Sequence, residues 1–176
     1  MTALDEAKAL RDAFGHFATG VTVVTTLADD NRPVGVTINS FSSLSLTPPL
    51  VLWSLAKASA SLPVFLAASH FAVHVLAADQ QALSERFAKP AADKFDDFDH
   101  GMGLGRVPLL TGCAAVFECA LQQCLDGGDH MILVGRVERF QTDADALPLL
   151  FYRGRYITPQ LGGLFSSAPL LSTTSG

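Results

Sequence analysis

The spacing of apolar and polar residues changes along the chain, and each change predicts a new element. In residues 3–17 the apolar side chains recur every three or four positions, which is the period of an amphipathic helix. Two segments rich in β-branched residues, Val21–Leu27 and Val34–Asn39, follow and flank the turn-forming sequence ADDNRP. The pattern therefore predicts a helix and then a β-hairpin.

Hydroxyl side chains are concentrated in the segment Gly35–Leu55, which reads GVTINSFSSLSLTPPLVLWSL. Within it, Leu44 and Leu46 alternate with hydroxyl residues, as in a strand with one face in the core and the other toward a polar space. Pro48 and Pro49 cannot donate ladder hydrogen bonds, so we expect them to end this strand in a turn. The segment therefore predicts a hydroxyl-lined surface beside the core.

The rest of the chain continues with short strands and short helices. Helices are predicted over residues 58–69, with Pro63 confined to the first turn, and over Asp79–Ala88, whose first residue is the expected N-cap. Residues 89–110 predict a long loop, and the turn Asp126–Asp129 predicts a second hairpin. Short strands joined as hairpins favour a mainly β fold, a closed antiparallel barrel with peripheral helices.

Length and composition narrow the possible functions. The 176 residues suffice for one hydrophobic core, so we expect a single domain over 1–176, with its core at about 14–157 and a tail over 160–176. The net charge of −5 without a Lys/Arg cluster argues against nucleic acid as a partner. No apolar run approaches the roughly 20 residues of a membrane span. The acidic N-terminal segment lacks a signal-peptide pattern, so we expect a cytoplasmic protein without membrane contact.

Two small groups of residues carry candidate chemistry. Lys57 and Ser59 stand where a helix is predicted to begin, which suits a bound phosphate but equally suits a capped helix with a solvated lysine. His130 begins a strand, where it either orients a ligand with Asp129 fixing its tautomer or is a half-buried histidine beside a turn aspartate. The cysteines, histidines and acidic residues lack the spacing of metal ligands, so no metal site is predicted.

Six motifs occur along the chain in a recognisable order. They are ATGVTVVTT, GVTINSFSSLSLTPPLVLWSL, LSERFA, DKF, GDHMILVGRV and PLLFYRGRY. In this order they resemble the flavin reductase-like family, the short-chain reductases that partner flavin-dependent monooxygenases. The resemblance extends from about Phe14 to Tyr156, which is most of the chain.

The resemblance implies a split β-barrel of the FMN-binding type, a Greek-key-like antiparallel barrel that forms a homodimer with flavin sites near the subunit interface. By the same resemblance, the cofactor-binding residues are Thr37, Asn39, Ser40, Ser54, Lys57, Ser59, Lys94 and Tyr156. Thr37, Asn39 and Ser40 would follow the polar edge of the isoalloxazine. Ser54, Lys57, Ser59 and Lys94 would lie toward the ribityl chain and phosphate, and Tyr156 would complete the cavity wall. His130 would be the catalytic residue, over the ring near the nicotinamide.

The resemblance also implies an activity, namely hydride transfer from NADH or NADPH to FMN or FAD. The reduced flavin would then serve a separate monooxygenase. The alternative is a flavin-binding electron carrier without a nicotinamide site, because the same barrel serves such proteins. The sequence does not decide between FMN and FAD or between NADH and NADPH.

Overall fold

The computed structural model describes residues 2–91 and 94–159, in which short strands predominate. The helices are α1 (Ala3–Phe14), α2 (Leu62–Ala67) and α3 (Gln81–Ala88). The strands are β1 (Thr19–Gly20), β2 (Thr22–Leu27), β3 (Pro33–Ile38), β4 (Ser42–Leu46), β5 (Pro49–Ala56), β6 (His70–Val75), β7 (Gly101–Met102), β8 (Pro108–Leu109), β9 (Ala115–Gly127), β10 (His130–Thr142), β11 (Leu150–Tyr152) and β12 (Arg155–Ile157). The tail predicted over 160–176 lies outside the described residues. Within those residues, none of the helices has the length and apolar character needed to cross a membrane.

Seven strands form one antiparallel sheet in the order β3-β2-β6-β9-β10-β5-β4. The two predicted hairpins are both present in it. β2 pairs with β3 from Thr22↔Ile38 to Leu27↔Pro33, and β9 pairs with β10 along nearly their whole length. Two smaller sheets, β1-β11-β12 and β7-β8, complete the described strands.

The inner face of the large sheet encloses an apolar core. Val36 of β3 and Leu55 of β5 both belong to this core, although β3 and β5 are not neighbours in the described sheet. The sheet therefore curls on itself into a barrel. Trp53 is fully buried in it, and its ring lies edge-on to Phe65 at 5.0 Å and to Phe71 at 5.7 Å between centroids. The predicted mainly β barrel with peripheral helices is confirmed.

A second core lies on the outer face of the sheet, beneath α3. It includes Val23 of β2 and Phe87 of α3. The fully buried His74 of β6 donates from Nδ1 to the Val23 carbonyl oxygen at 3.0 Å and accepts at Nε2 from the Leu110 N–H at 3.1 Å. Because an N–H must point at Nε2, the ring is neutral with its proton on Nδ1. Burial lowers the pKa of His74 to about 4.

Strand β4 contradicts one prediction. Leu44 is exposed and Leu46 is 93% exposed, whereas Ser45 is half-buried. Among the described strands β4 pairs with β5 alone, and its register shifts between Ser43 and Ser45. Such a bulge inserts an extra residue and changes which side chains point inward. The prediction that the two leucines face the core is therefore wrong.

The helix boundaries differ from the predicted ones for local reasons. Helix α2 begins at Leu62 rather than at residue 58, because Pro63 has no N–H and fits only the first turn. The N-cap of α3 is Gln80, one residue after the predicted Asp79. The predicted loop over 89–110 contains the short strands β7 and β8 in its described part.

Candidate functional site

A groove of about 780 Å³ runs between β3, the turn after β5 and the C-terminal end of α3. Its polar and cationic lining residues are Arg32, Thr37, Ser59, Ser61, Lys89 and Lys94. Three of these, Thr37, Ser59 and Lys94, are among the predicted cofactor-binding residues. No Asp or Glu is among the described lining residues, although the whole chain carries a net charge of −5. The groove is therefore locally positive and suits an anionic ligand.

Lys94 forms one wall of the groove by joining two elements. Its Nζ donates to the Gly35 carbonyl oxygen at 3.0 Å and to the Phe87 carbonyl oxygen at 2.9 Å, which links β3 to α3. Partial burial lowers the pKa of Lys94. The Arg86 side chain in turn donates to the Lys94 carbonyl oxygen at 2.6 Å. An ammonium group has three N–H bonds, so one remains for a ligand in the groove.

The close packing of α3 on β3 depends on Gly35. A Cβ atom at this position would lie 2.5 Å from Cε1 of Phe87 and 3.3 Å from Cζ of Phe95. Phe87 is 1% exposed and cannot swing out into solvent. Any side chain at Gly35 would push α3 away and widen the groove.

A chain of hydroxyl groups continues from the groove into an adjoining cavity of about 230 Å³, which Thr37, Asn39, Ser84 and Tyr156 help to line. Thr37 Oγ1 donates to the Ser84 carbonyl oxygen at 2.7 Å, and Ser84 Oγ lies 2.9 Å from the Tyr156 hydroxyl. Ser84 is fully buried, and the sequence reasoning missed it. The exposed Asn39 also lines a larger cavity of about 1050 Å³ beside α1.

Ser40 and Ser54 meet where the end of β3 approaches β5, a contact that we call the barrel seam. Ser40 Oγ donates to the Ser54 carbonyl oxygen and accepts from the Ser54 N–H, both at 3.0 Å. The Ser40 hydroxyl thus forms, with the backbone of Ser54, the two hydrogen bonds that a backbone N–H and C=O would form in a regular strand pair. Both bonds use the backbone of Ser54, so they leave its hydroxyl outside the seam.

Lys57, in the turn after β5, meets the tip of the β9–β10 hairpin, where His130 lies. Lys57 Nζ is 2.5 Å from Oδ2 of Asp126, and the Lys57 N–H donates to the Asp129 carbonyl oxygen at 2.8 Å. His130 Nδ1 is 2.8 Å from Oδ1 of Asp129, which is the contact proposed from the sequence to fix its tautomer. The hydrogen bond from Lys57 lowers the pKa of Asp126, and the one from His130 lowers the pKa of Asp129.

The structure thus divides the predicted site residues into three groups. The groove and its adjoining cavity collect Thr37, Asn39, Ser59, Lys94 and Tyr156, the seam holds Ser40 and Ser54, and the hairpin tip holds Lys57 and His130. The last two residues do not line the groove or the two cavities described above. Ser59 does not stand at the start of a helix, as was predicted, because α2 begins at Leu62. Its Oγ instead accepts from the Ser61 N–H at 3.3 Å in the turn before α2.

Sequence reasoning missed two residues of the site for different reasons. Arg32 belongs to the turn between β2 and β3, so its only sequence signal is a charge among turn residues. Ser84 is a buried hydroxyl on an amphipathic helix, and only the motif LSERFA pointed to that helix. Among the residues in 2–91 and 94–159, no group of three or more His, Cys, Asp or Glu side chains could hold a metal ion.

Comparison with known proteins yields one family. The family described as "Flavin reductase like domain" matches residues 14–159. The reductase component of a flavin-dependent trigonelline monooxygenase from Acinetobacter baylyi is 48% identical over 159 residues, which cover 90% of this chain and 51% of that protein. The chain spans about half the length of this relative, and likewise 52% of a probable flavin reductase from Rhizobium meliloti.

Other relatives match along most of their own length. The FMN reductase (NADH) SmoA of Agrobacterium fabrum is 47% identical, with 86% of each chain covered. Among solved structures, the NADH:FAD oxidoreductase SgcE6 of Streptomyces globisporus, in complex with NAD and FAD fragments, superposes with a TM-score of 0.86. It is 36% identical, and the match covers 93% of this chain and 98% of that one.

Proposed function

The chain belongs to the flavin reductase like domain family, and on this premise we propose that it is an NAD(P)H-dependent flavin reductase. It transfers a hydride from NADH or NADPH to FMN or FAD. The observation that carries the proposal is the positive groove that continues into a hydroxyl-lined cavity. A flavin has the matching chemistry, because an anionic phosphate chain leads to a flat ring with a polar edge.

The residues of the groove fit the two ends of a flavin. In this proposal Ser59 and the remaining N–H of Lys94 donate to the phosphate. Arg32 stands at the same end, with its Nε 3.6 Å from Oδ2 of Asp30. Thr37 and Asn39 face the polar edge of the ring. Tyr156 supplies its aromatic face to the wall, since Ser84 already engages its hydroxyl.

The chemistry of the reaction explains why no triad is needed. A flavin held in the groove would supply the hydride acceptor, its N5 atom, for C4 of the dihydronicotinamide, so the reaction would need no protein nucleophile. The task of this chain is orientation: side-chain donors at the ring edge stabilise negative charge there, and the cavity walls hold the ring flat. His130, held by the Asp129 carboxylate, is the residue proposed to contact the nicotinamide.

The quaternary structure and setting of the enzyme form part of the same proposal. We propose a single flavin reductase-like domain that acts as a homodimer in the cytoplasm and supplies reduced flavin to a separate monooxygenase. The exposed apolar residues of β4, such as Leu46, support the homodimer, because apolar side chains on an edge strand gain from being covered. Light scattering on the wild type and on the variant Leu46→Glu tests the proposed homodimer. We expect a dimeric wild type and a weakened dimer in the variant, and a monomeric wild type would contradict the proposal.

Turnover of the purified chain tests the main proposal. We expect oxidation of NADH or NADPH when FMN or FAD is added, followed through the absorbance of the reduced nicotinamide. Ser59→Ala should weaken FMN binding several-fold, whereas Ser43→Ala, an exposed serine on β4, should not. A chain that binds flavin but oxidises neither nicotinamide would be the electron carrier instead.

A further inference from the structure

A second large cavity lies outside the groove, between the C-terminal end of α1 and the turn that joins β11 to β12. Its volume is about 1050 Å³. The lining residues that bear on its chemistry are Arg11, Phe14, Phe17, Thr19, Asn39 and Arg153. It shares Asn39 and Phe151 with the small cavity next to the groove, so it begins where the polar edge of the flavin ring is proposed to lie.

Two arginine side chains give this cavity positive charge. The guanidinium groups of Arg11 and Arg153 have no ion-pair or hydrogen-bond partner within residues 2–91 and 94–159. The one carboxylate among the described lining residues, that of Asp12, lies 3.1 Å from Nζ of Lys8. Two unpaired guanidinium groups at one cavity suit a diphosphate, which arginine recognises in a bidentate manner.

The turn that carries Arg153 is fixed against α1. The Arg153 N–H donates to the Gly15 carbonyl oxygen at 2.9 Å, and Arg153 adopts a left-handed backbone with φ of 49°. A residue other than glycine adopts this conformation at a cost in free energy. The structure thus holds the arginine at the cavity despite that cost.

The remaining walls suit a flat heterocycle with polar substituents. Phe14 is 69% exposed and Phe17 is 78% exposed, so both offer apolar surface to a stacking ring. The hydroxyl oxygen of Thr19 is buried and has no hydrogen-bond partner among the described residues. Buried polar atoms without a partner are rare in folded proteins, and a ligand group in the cavity would provide one.

We propose that this cavity binds the adenylate and pyrophosphate half of the nicotinamide dinucleotide, with Arg11 and Arg153 on the pyrophosphate and the two phenylalanines beside the adenine. The proposal rests on the proposed function above. The nicotinamide would then extend past Asn39 to the flavin ring. There the dihydronicotinamide would transfer a hydride, which consists of one proton and two electrons, to flavin N5. It would then leave as NAD⁺ or NADP⁺.

The test uses two variants and a matched control. Arg11→Gln removes one charge, and Arg153→Asn removes the other with a residue that tolerates a left-handed backbone. Arg155→Gln is the control, because Arg155 is exposed on the neighbouring β12 and does not line the cavity. For the double variant we expect the KM for NADH and the Kd for NAD⁺ on the flavin-loaded protein to rise at least tenfold. The Kd for FMN should stay within twofold, and the control should match the wild type.

Several outcomes would overturn the assignment. If the double variant binds NAD⁺ like the wild type, the arginines do not hold the dinucleotide. If its FAD affinity falls while FMN and NAD⁺ affinities stay constant, the cavity holds the adenylate of the flavin instead. If the variant changes only the oligomeric state in light scattering, the cavity is a subunit interface. A wild type that binds NAD⁺ in calorimetry but oxidises no NADH or NADPH contradicts the proposed function and not this inference.

Discussion

Two regions of the chain each contain a lysine and a histidine whose side chains form hydrogen bonds, but the partners differ between the regions. Beneath α3, Lys94 and His74 are bonded to backbone atoms of the packed interior. At the hairpin tip, Lys57 and His130 pair with carboxylates that are themselves exposed. Water replaces a lost partner at the tip, but it does not reach the fully buried His74 and reaches the half-buried Lys94 only from the groove, so equal changes should have unequal consequences. Lys94 fixes one wall of the groove and His74 joins β6 to its neighbours, whereas Lys57 and His130 remain accessible to ligands.

Acidification should produce the largest difference between the two regions. The pKa of His74 is about 4 in the folded protein, below the ordinary value of 6.5, so the unfolded chain takes up this proton first. The free energy of unfolding is therefore highest above pH 6.5 and falls toward pH 4, by about 3 kcal/mol from this group. Urea unfolding at several pH values between 7 and 4 measures this fall in the free energy of unfolding. His74→Gln should make the free energy of unfolding less dependent on pH, whereas His130→Gln should leave the pH dependence unchanged. The reverse result would show that the pH dependence does not come from His74.

Removing the two lysines should give the next largest difference. Lys94→Met leaves the carbonyl oxygens of Gly35 and Phe87 without their donor, which should lower the free energy of unfolding by about 2 kcal/mol. The groove wall should also loosen, so the Kd for FMN should rise. Lys57→Met should change stability by less than about 0.5 kcal/mol. Equal losses in the two variants, measured by urea unfolding, would contradict the distinction between the regions.

Replacing the exposed histidine should affect activity and leave stability unchanged. We expect His130→Ala to lower kcat/KM for NADH about tenfold, equivalent to about 1.4 kcal/mol, through weaker nicotinamide contact. The free energy of unfolding and the Kd for FMN should match the wild type, because the pair with Asp129 is exposed. Asp129→Asn keeps a side-chain acceptor for His130 and should have a smaller effect. An unchanged kcat/KM for His130→Ala would remove His130 from the proposed site.

The smallest effect should be the coupling between Lys57 and Asp126. Their atoms are 2.5 Å apart, but both side chains reach solvent. A double-mutant cycle with Lys57→Gln and Asp126→Asn should give a coupling close to zero, which decreases further as salt is added. A coupling as large as the loss in Lys94→Met would show that the tip is as rigid as the groove.

The elements that depend on near neighbours were predicted well. Two β-branched segments around the turn before Pro33 indicated the first hairpin, the turn Asp126–Asp129 indicated the second, and the structure confirms both. The orientation of Leu44 and Leu46 was predicted wrongly, because a bulge on an edge strand is set by its pairing with β5 and not by local alternation. The family and the barrel are confirmed as well.

The candidate site was predicted only in part, because its geometry depends on contacts between distant segments. Thr37 and Lys94 are 57 positions apart and line one groove only because α3 packs on Gly35. The family resemblance named both residues, but nothing local indicated that Lys94 would bond two carbonyl groups. The roles of the predicted residues toward flavin and nicotinamide remain predictions for the variants above to test.

The barrel seam has a consequence for ligand exchange. A backbone ladder opens only when several neighbouring hydrogen bonds break together, whereas Ser40 and Ser54 are joined through a single hydroxyl group. Rotation of that hydroxyl group releases both bonds at once, so this contact can open locally while the pair Ser42↔Leu52 still holds β4 on β5. The Ser54 amide should then exchange its hydrogen faster than the amides of Trp53 and Leu55. If Ser40 and Ser54 contact the flavin as predicted, such a local opening would release the flavin without unfolding of the barrel.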